Sequence, residues 1–212
     1  MQTNKQHSSV LLLTQMAVLI AIMLVLETTG LGMIKIGLLE MTILQFPVIV
    51  GAITMGPAAG AGLGLVFGLI SFWECFGKSA FGATLLGINP IFTFLVCVPT
   101  RTLMGLLCGM TYKAVHGVLV QGRTGVGQVV KMVPYVAASL AGALLNTAFF
   151  MGTLVVLFGS TEFIRGYMDM AGTTNPIVFI CWFVGIQGLV EALLCAFLGT
   201  AVSRGVNAVL KK

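Results

Sequence analysis

The sequence predicts an all-α integral membrane protein: a bundle of six transmembrane helices with both termini in the cytoplasm. Three observations predict it. Hydrophobic residues fill 58% of the 212 positions and charged residues only 8%, against roughly 25% charged in soluble domains. The apolar residues gather in runs near the roughly 20 residues that a helix needs to cross a hydrocarbon core. Basic residues are shared unequally between the segments that join those runs. The whole chain, 1–212, reads as a single transmembrane domain, with the bundle itself over 9–205.

The first run covers 9–30. Lys5 before it gives it the look of a signal peptide, but it is long and no A-x-A site follows, so it is expected to be a retained span. The uncharged stretch 41–72 is too long for one crossing and short for two. Its "TMGPAAG" supplies a turn. Two short helices, 41–55 and 57–72, are expected to meet at Gly56–Pro57, with proline in the first turn of the second. The remaining spans are 89–112, 133–158 and 176–201.

Six crossings put both termini and the connection 113–131 on one side. That side holds Lys5, Lys113, Arg123, Lys131, Arg204, Lys211 and Lys212; the other holds Lys35, Lys78 and Arg165. The richer side is expected to be cytoplasmic. Segments 31–40, 73–88 and 159–175 then become polar outer loops. The net charge of +5 is read as membrane orientation and not as a nucleic-acid footprint.

Within "GPAAGAGLGLVFG", Gly60, Gly64 and Gly68 recur every fourth residue. They line one helix face. Lipid gives no hydrophobic drive for helix association, so small residues serve by letting backbones approach. This face is expected to be buried against another helix.

Several chemistries are absent from the sequence. The five cysteines form no C-x-x-C, and the two histidines are His7 and His116; no metal site and no catalytic set is expected. "FGKSA" contains the G-K-S of a nucleotide-binding loop, but the glycine that motif needs five residues earlier is Phe72. No cofactor, no enzymatic activity and no ATP hydrolysis by this chain is expected.

Charges inside spans are expensive and mark function by default. They are Glu27, Arg101 and Glu191. At 1.5 Å per residue, Arg101 lies about 18 Å and Glu191 about 22 Å below the outer ends of their spans; Asn146 lies at about 18 Å and Gln187 at about 16 Å. Three spans thus place polar groups in one layer. One reading is an Arg101–Glu191 ion pair that fixes helix register. The other is a solute pocket floored by Arg101, Asn146 and Gln187, with Gln45 beside Pro47. There the arginine fork suits a carboxylate, and Pro99 frees the Leu95 carbonyl. Both hold if Glu191 neutralises Arg101 in the empty pocket. Trp73 and Trp182 either belong to an aromatic belt or stack on a solute at the mouth, near Asn89.

Several stretches resemble the substrate-binding S components of energy-coupling factor (ECF) vitamin transporters. "AVLIA" places Ala17 and Ala21 four apart on the first span, like that family's alanine motif. "TILQFPVIVGAITMGPAAGAGLGLVFGLIS" (Thr42 to Ser71) resembles its second and third helices. "VPTRTLMG", "GALLNTAFFMG" and "EALLCAFLG" are similar to its last three helices. The resemblance covers most of 9–205. It implies a prokaryotic plasma-membrane protein that binds a small vitamin on its outer side. It also implies docking through Ala17 and Ala21 onto a transmembrane coupling subunit that works with two ATPases. The pantothenate-type subgroup is nearest, although Gln45 stands where that subgroup commonly has histidine and Thr100 separates Pro99 from Arg101. Pyridoxine, nicotinate, riboflavin and deazapurine are alternative solutes. A self-sufficient carrier or channel is the competing class; it would more often show inverted repeats, and the sequence shows none. A structural membrane subunit without a ligand is the third.

Overall fold

The computed structural model describes residues 2–30, 33–36 and 39–210; the side chains of 2–9, 33–36, 39–42, 176, 182, 183, 185–187 and 210 lie outside that description. Helix α1 (Gln2–Thr28) leads to an antiparallel hairpin, β1 (Met33–Ile36) and β2 (Leu39–Thr42), with Met33 opposite Thr42 and Ile36 opposite Leu39. Then follow α2 (Gln45–Met55), α3 (Pro57–Glu74), α4 (Ala80–Ile88), α5 (Pro90–Leu119), α6 (Gln128–Phe158), α7 (Glu162–Met170) and α8 (Pro176–Leu194). A π-helix, Cys195–Gly199, joins α8 to α9 (Thr200–Leu210).

Five helical stretches among the described residues are long and apolar enough to cross a membrane: Val10–Thr28, Pro57–Glu74, Pro90–Leu119, Gln128–Phe158 and Gly188–Val209. The sixth expected crossing is α2. With 11 residues it covers about 16 Å, roughly half of a 30 Å hydrocarbon core. It is shorter than the expected 41–55 because residues up to Thr42 pair in the hairpin. Its end is where the sequence placed it. Gly56 adopts φ +99°, a region that strains other residues, and Pro57 opens α3.

The other boundaries differ for local reasons. Segments 73–88 and 159–175 are not plain loops; they carry α4 and α7, whose N-termini are capped by Ser79 and Thr161 accepting from the amides of Gly82 and Ile164. In "FGKSA", Gly77 turns the chain at φ +143°, Ser79 is that cap, and Lys78 binds Glu27. Its Nζ donates to the Glu27 carboxylate at 2.5 Å and to the Glu27 carbonyl at 3.3 Å. This tie holds the end of α1 to the corner after α3, and the hydrogen bond raises the Lys78 pKa above its ordinary value. At the opposite end, α5 runs on through Lys113 and His116 to Leu119, because polar side chains outside the hydrocarbon do not stop a helix. Tyr112 stacks on His116 there, 5.6 Å between ring centroids.

The tightest crossing is α3 against α5. A Cβ added to Gly60 would collide with the Gly105 carbonyl, and one added to Gly64 would collide with that of Arg101. At Gly68 it would lie 2.7 Å from the Val98 Cα, and at Gly109 it would lie 2.7 Å from the Pro57 Cα. The contacts step regularly along both helices, so the two run antiparallel with backbones touching. A second layer forms at the same depth as Gly105. Val48 lies against Gly105, Ile49 against Gly142, and Ile49 and Ser139 against Gly199. Four helical segments are therefore fixed in relative height by contacts at Gly105, Gly142 and Gly199.

This crossing yields a paired test. Gly64→Leu inserts a side chain into backbone, and overpacking of that kind costs about 1–3 kcal/mol or more. Gly152→Leu on α6 meets nothing within 4 Å. Thermal unfolding in mild detergent should show a lowered Tm or loss of folded protein for the first and little change for the second. Equal tolerance contradicts the crossing. Membrane sidedness has its own test. Cysteines introduced at 115–128 should resist an impermeant thiol reagent applied outside whole cells, and those at 160–172 should react. Equal labelling defeats the orientation.

Candidate solute-binding site

The layer built on Gly105, Gly142 and Gly199 sets the height of everything one turn away. Moving one turn toward the Lys78 end leads to Gln45 on α2, Arg101 on α5, Asn146 on α6 and Cys195 at the start of the π-helix. Gln45 opens α2 at this depth because the hairpin, and not a helix, occupies the segment before it. Arg101, Asn146 and Gln45 are 7%, 9% and 0% exposed. Buried polar groups in proteins are nearly always hydrogen-bonded. These are not fully so: both amide atoms of Gln45, Oδ1 of Asn146 and Nε of Arg101 have no hydrogen-bond partner among the described residues. Gln45 lies near the Cys195 thiol without a well-formed hydrogen bond.

Arg101 is held by groups that carry no charge. Its Nη1 donates to the carbonyls of Cys97, at 3.2 Å, and Val96, at 3.4 Å. Its guanidinium lies 4.8 Å from the Phe67 ring centroid and 4.9 Å from that of Phe150. A cation between two aromatic faces is attracted by the ring quadrupoles. Among the described residues it forms no ion pair, and so the register-fixing pair with Glu191 is not found. Glu191 is half-buried on α8, one turn from Cys195, and makes other contacts. Thr100 Oγ1 donates to the Val96 carbonyl at 2.5 Å, so side chains occupy carbonyls beside Pro99.

The remaining candidates are placed elsewhere or not at all. Asn89 uses its Oδ1 to cap α5, accepting from the amides of Ile91 and Phe92 at 3.1 and 3.2 Å. Trp73 is 72% exposed at the end of α3, with its ring against Phe76. The Gln187 and Trp182 side chains lie outside the described residues. Ala17 and Ala21 are exposed on α1. The sequence reading missed Phe67 and Phe150. A signal existed for the second: Phe150 lies four residues after Asn146 on the same helix face. Among the described residues, no group of three His, Cys, Asp or Glu side chains could hold a metal ion.

Chemically, the arrangement offers one fixed cation, amide donors and acceptors, and two aromatic faces. It can hold a small solute with a carboxylate and several polar groups. Leaving a buried amide unpaired costs about 1–3 kcal/mol. Gln45→Met, which keeps the volume and removes the polar atoms, should therefore raise the Tm of the unliganded chain. A lowered Tm would make Gln45 a structural residue.

Residues 11–203 match the family model described as ECF transporter, substrate-specific component. The chain is 32% identical over 201 residues to "Pantothenic acid transporter PanT" of Lactococcus lactis subsp. cremoris (strain MG1363), covering 88% of this chain and 89% of that one. It is 31% identical over 114 residues to "Pantothenate transporter PanT" of Leuconostoc mesenteroides subsp. mesenteroides, covering 53% of each. The family and these relatives are transporters, not enzymes. The chain belongs to the substrate-specific S components of ECF transporters, multi-pass proteins of the prokaryotic plasma membrane that serve vitamin uptake.

Proposed function

We propose that the chain is the high-affinity pantothenate-binding subunit of an ATP-driven ECF importer. The observation that carries the reading is the layer of Gln45, Arg101 and Asn146, each nine-tenths buried with unpartnered polar atoms. Pantothenate has one carboxylate, two hydroxyls and one amide. The Arg101 guanidinium takes the carboxylate through Nε, the fork edge not occupied by its own helix. Gln45 and Asn146 take the hydroxyls and the amide. Gln187, Glu191, Trp73 and Asn89 are secondary candidates for the rim. The names of the two relatives support this choice of vitamin.

The energy comes from outside the chain. A transmembrane coupling subunit docks on α1, and two ATPase subunits complete the module. Ala17 and Ala21 suit docking because they are small, four residues apart and exposed, which permits close backbone approach by a partner helix.

Isothermal titration of pantothenate and its carboxamide against wild type and Arg101→Gln tests the site. Loss of a charge-assisted hydrogen bond in a dry pocket costs about 1.5–3 kcal/mol, or roughly ten- to a hundredfold in affinity. Wild type should prefer the acid by that margin and Arg101→Gln should not. Arg101→Lys keeps the charge but loses the fork, so it too should bind more weakly. No preference for the acid in wild type removes pantothenate's carboxylate from the account. For docking, Ala17→Trp or Ala21→Trp should leave pantothenate affinity intact while co-purification of the coupling subunit falls. The reverse pattern assigns these alanines to the solute.

A further inference from the structure

A guanidinium is a permanent cation, and that of Arg101 belongs to a side chain only 7% exposed. Burying a charge is expensive unless it is paired. Among the described residues no carboxylate pairs with it. Glu27 is committed to Lys78 and also contacts Glu74, and Glu191 makes other contacts. The Phe67 and Phe150 rings attract the cation, but they carry no net negative charge to balance it.

The contacts also define how a counter-charge can approach. With the guanidinium between two rings, 4.8 and 4.9 Å from their centroids, approach is left to its own plane. In that plane Nη1 is taken by the carbonyls of Val96 and Cys97. The other edge, Nε with Nη2, forms no hydrogen bond among the described residues. It presents two parallel N–H groups, the arrangement that holds a carboxylate and that also holds one spherical anion between the two donors. A doubly charged oxyanion suits it less, because one guanidinium would leave a net negative charge buried.

We propose that the Nε–Nη2 edge of Arg101 binds a small inorganic monoanion, chloride, when no vitamin is bound, and that the vitamin's carboxylate displaces it. The inference rests on the seat that the proposed function gives to that carboxylate. One anion replaces another, so the buried cation is compensated with and without the vitamin. A free ion differs here from a tethered carboxylate such as Glu191. Once displaced it leaves the protein, and no helix has to move to release it.

Line broadening in the chloride NMR signal tests the proposal, since chloride exchanging between the protein and bulk water broadens that line. The full chain is used in zwitterionic lipid nanodiscs. With no vitamin added, wild type should broaden the line several-fold more than Arg101→Gln. Arg101→Lys keeps the charge and loses the fork, so it should retain only part of that excess. Saturating pantothenate should remove the excess from wild type, with binding followed by titration calorimetry on the same sample. Broadening by wild type no greater than that by Arg101→Gln overturns the proposal. Should Arg101→Gln fail to fold, broadening by Arg101→Lys equal to that of wild type overturns it. Excess broadening that survives while calorimetry shows pantothenate bound overturns it too, because the two anions then do not share a seat. If calorimetry shows no pantothenate binding and the Arg101-dependent broadening is present, the anion site stands and the choice of vitamin falls.

Discussion

Backbone contact between α3 and α5 is the constraint on which the rest depends. Gly60 and Gly64 press against the carbonyls of Gly105 and Arg101, so no side chain separates the two helices. In lipid, apolar side chains gain nothing by leaving their surroundings, and close approach has to supply the association. The contact also fixes the rotation of α5. Arg101 offers its backbone to Gly64 while its side chain turns to Phe67 and Phe150. A bulkier residue at Gly64 would move the arginine as well as the helix.

Because height is set by Gly105, Gly142 and Gly199, the polar residues one turn away are held at one level without being bonded to one another. That is what a binding site needs. A guanidinium paired with a carboxylate would have to lose that partner before accepting a solute's. Flanking by rings and by two carbonyls keeps Arg101 in place while Nε stays available. The buried polar atoms without partners among the described residues cost stability, offset elsewhere by the crossing and by apolar clusters such as that of Met151, Phe158 and Phe179.

Much of this was legible in the residues. The four-residue glycine spacing gave the face, and Gly56–Pro57 gave the turn, because both are backbone properties carried by single residue types. Arg101 and Asn146 stood out because polar side chains inside apolar runs are few. Other features were not legible. The hairpin before Gln45 depends on pairing between strands of four residues, too short to show in an apolar run, and it decides that α2 starts at mid-depth. The absence of an Arg101–Glu191 pair depends on side-chain direction, which matching depth does not give. Asn89 also caps the helix that Pro90 opens, a signal present in the sequence but outweighed by its position. The ends of α5 and α6 extended further than hydropathy indicated, since hydropathy marks the hydrocarbon and not the helix.

The central claim is that Gln45, Arg101 and Asn146 form the seat of a vitamin carboxylate and its polar neighbours. An experimental structure of the chain with pantothenate bound tests it most directly. The account predicts the carboxylate at hydrogen-bond distance, about 2.7–2.9 Å, from Arg101 Nε, with Gln45 and Asn146 contacting the remainder of the molecule. Pantothenate bound with its carboxylate elsewhere, and the Arg101 guanidinium still contacting only Phe67, Phe150 and its own helix, would contradict it.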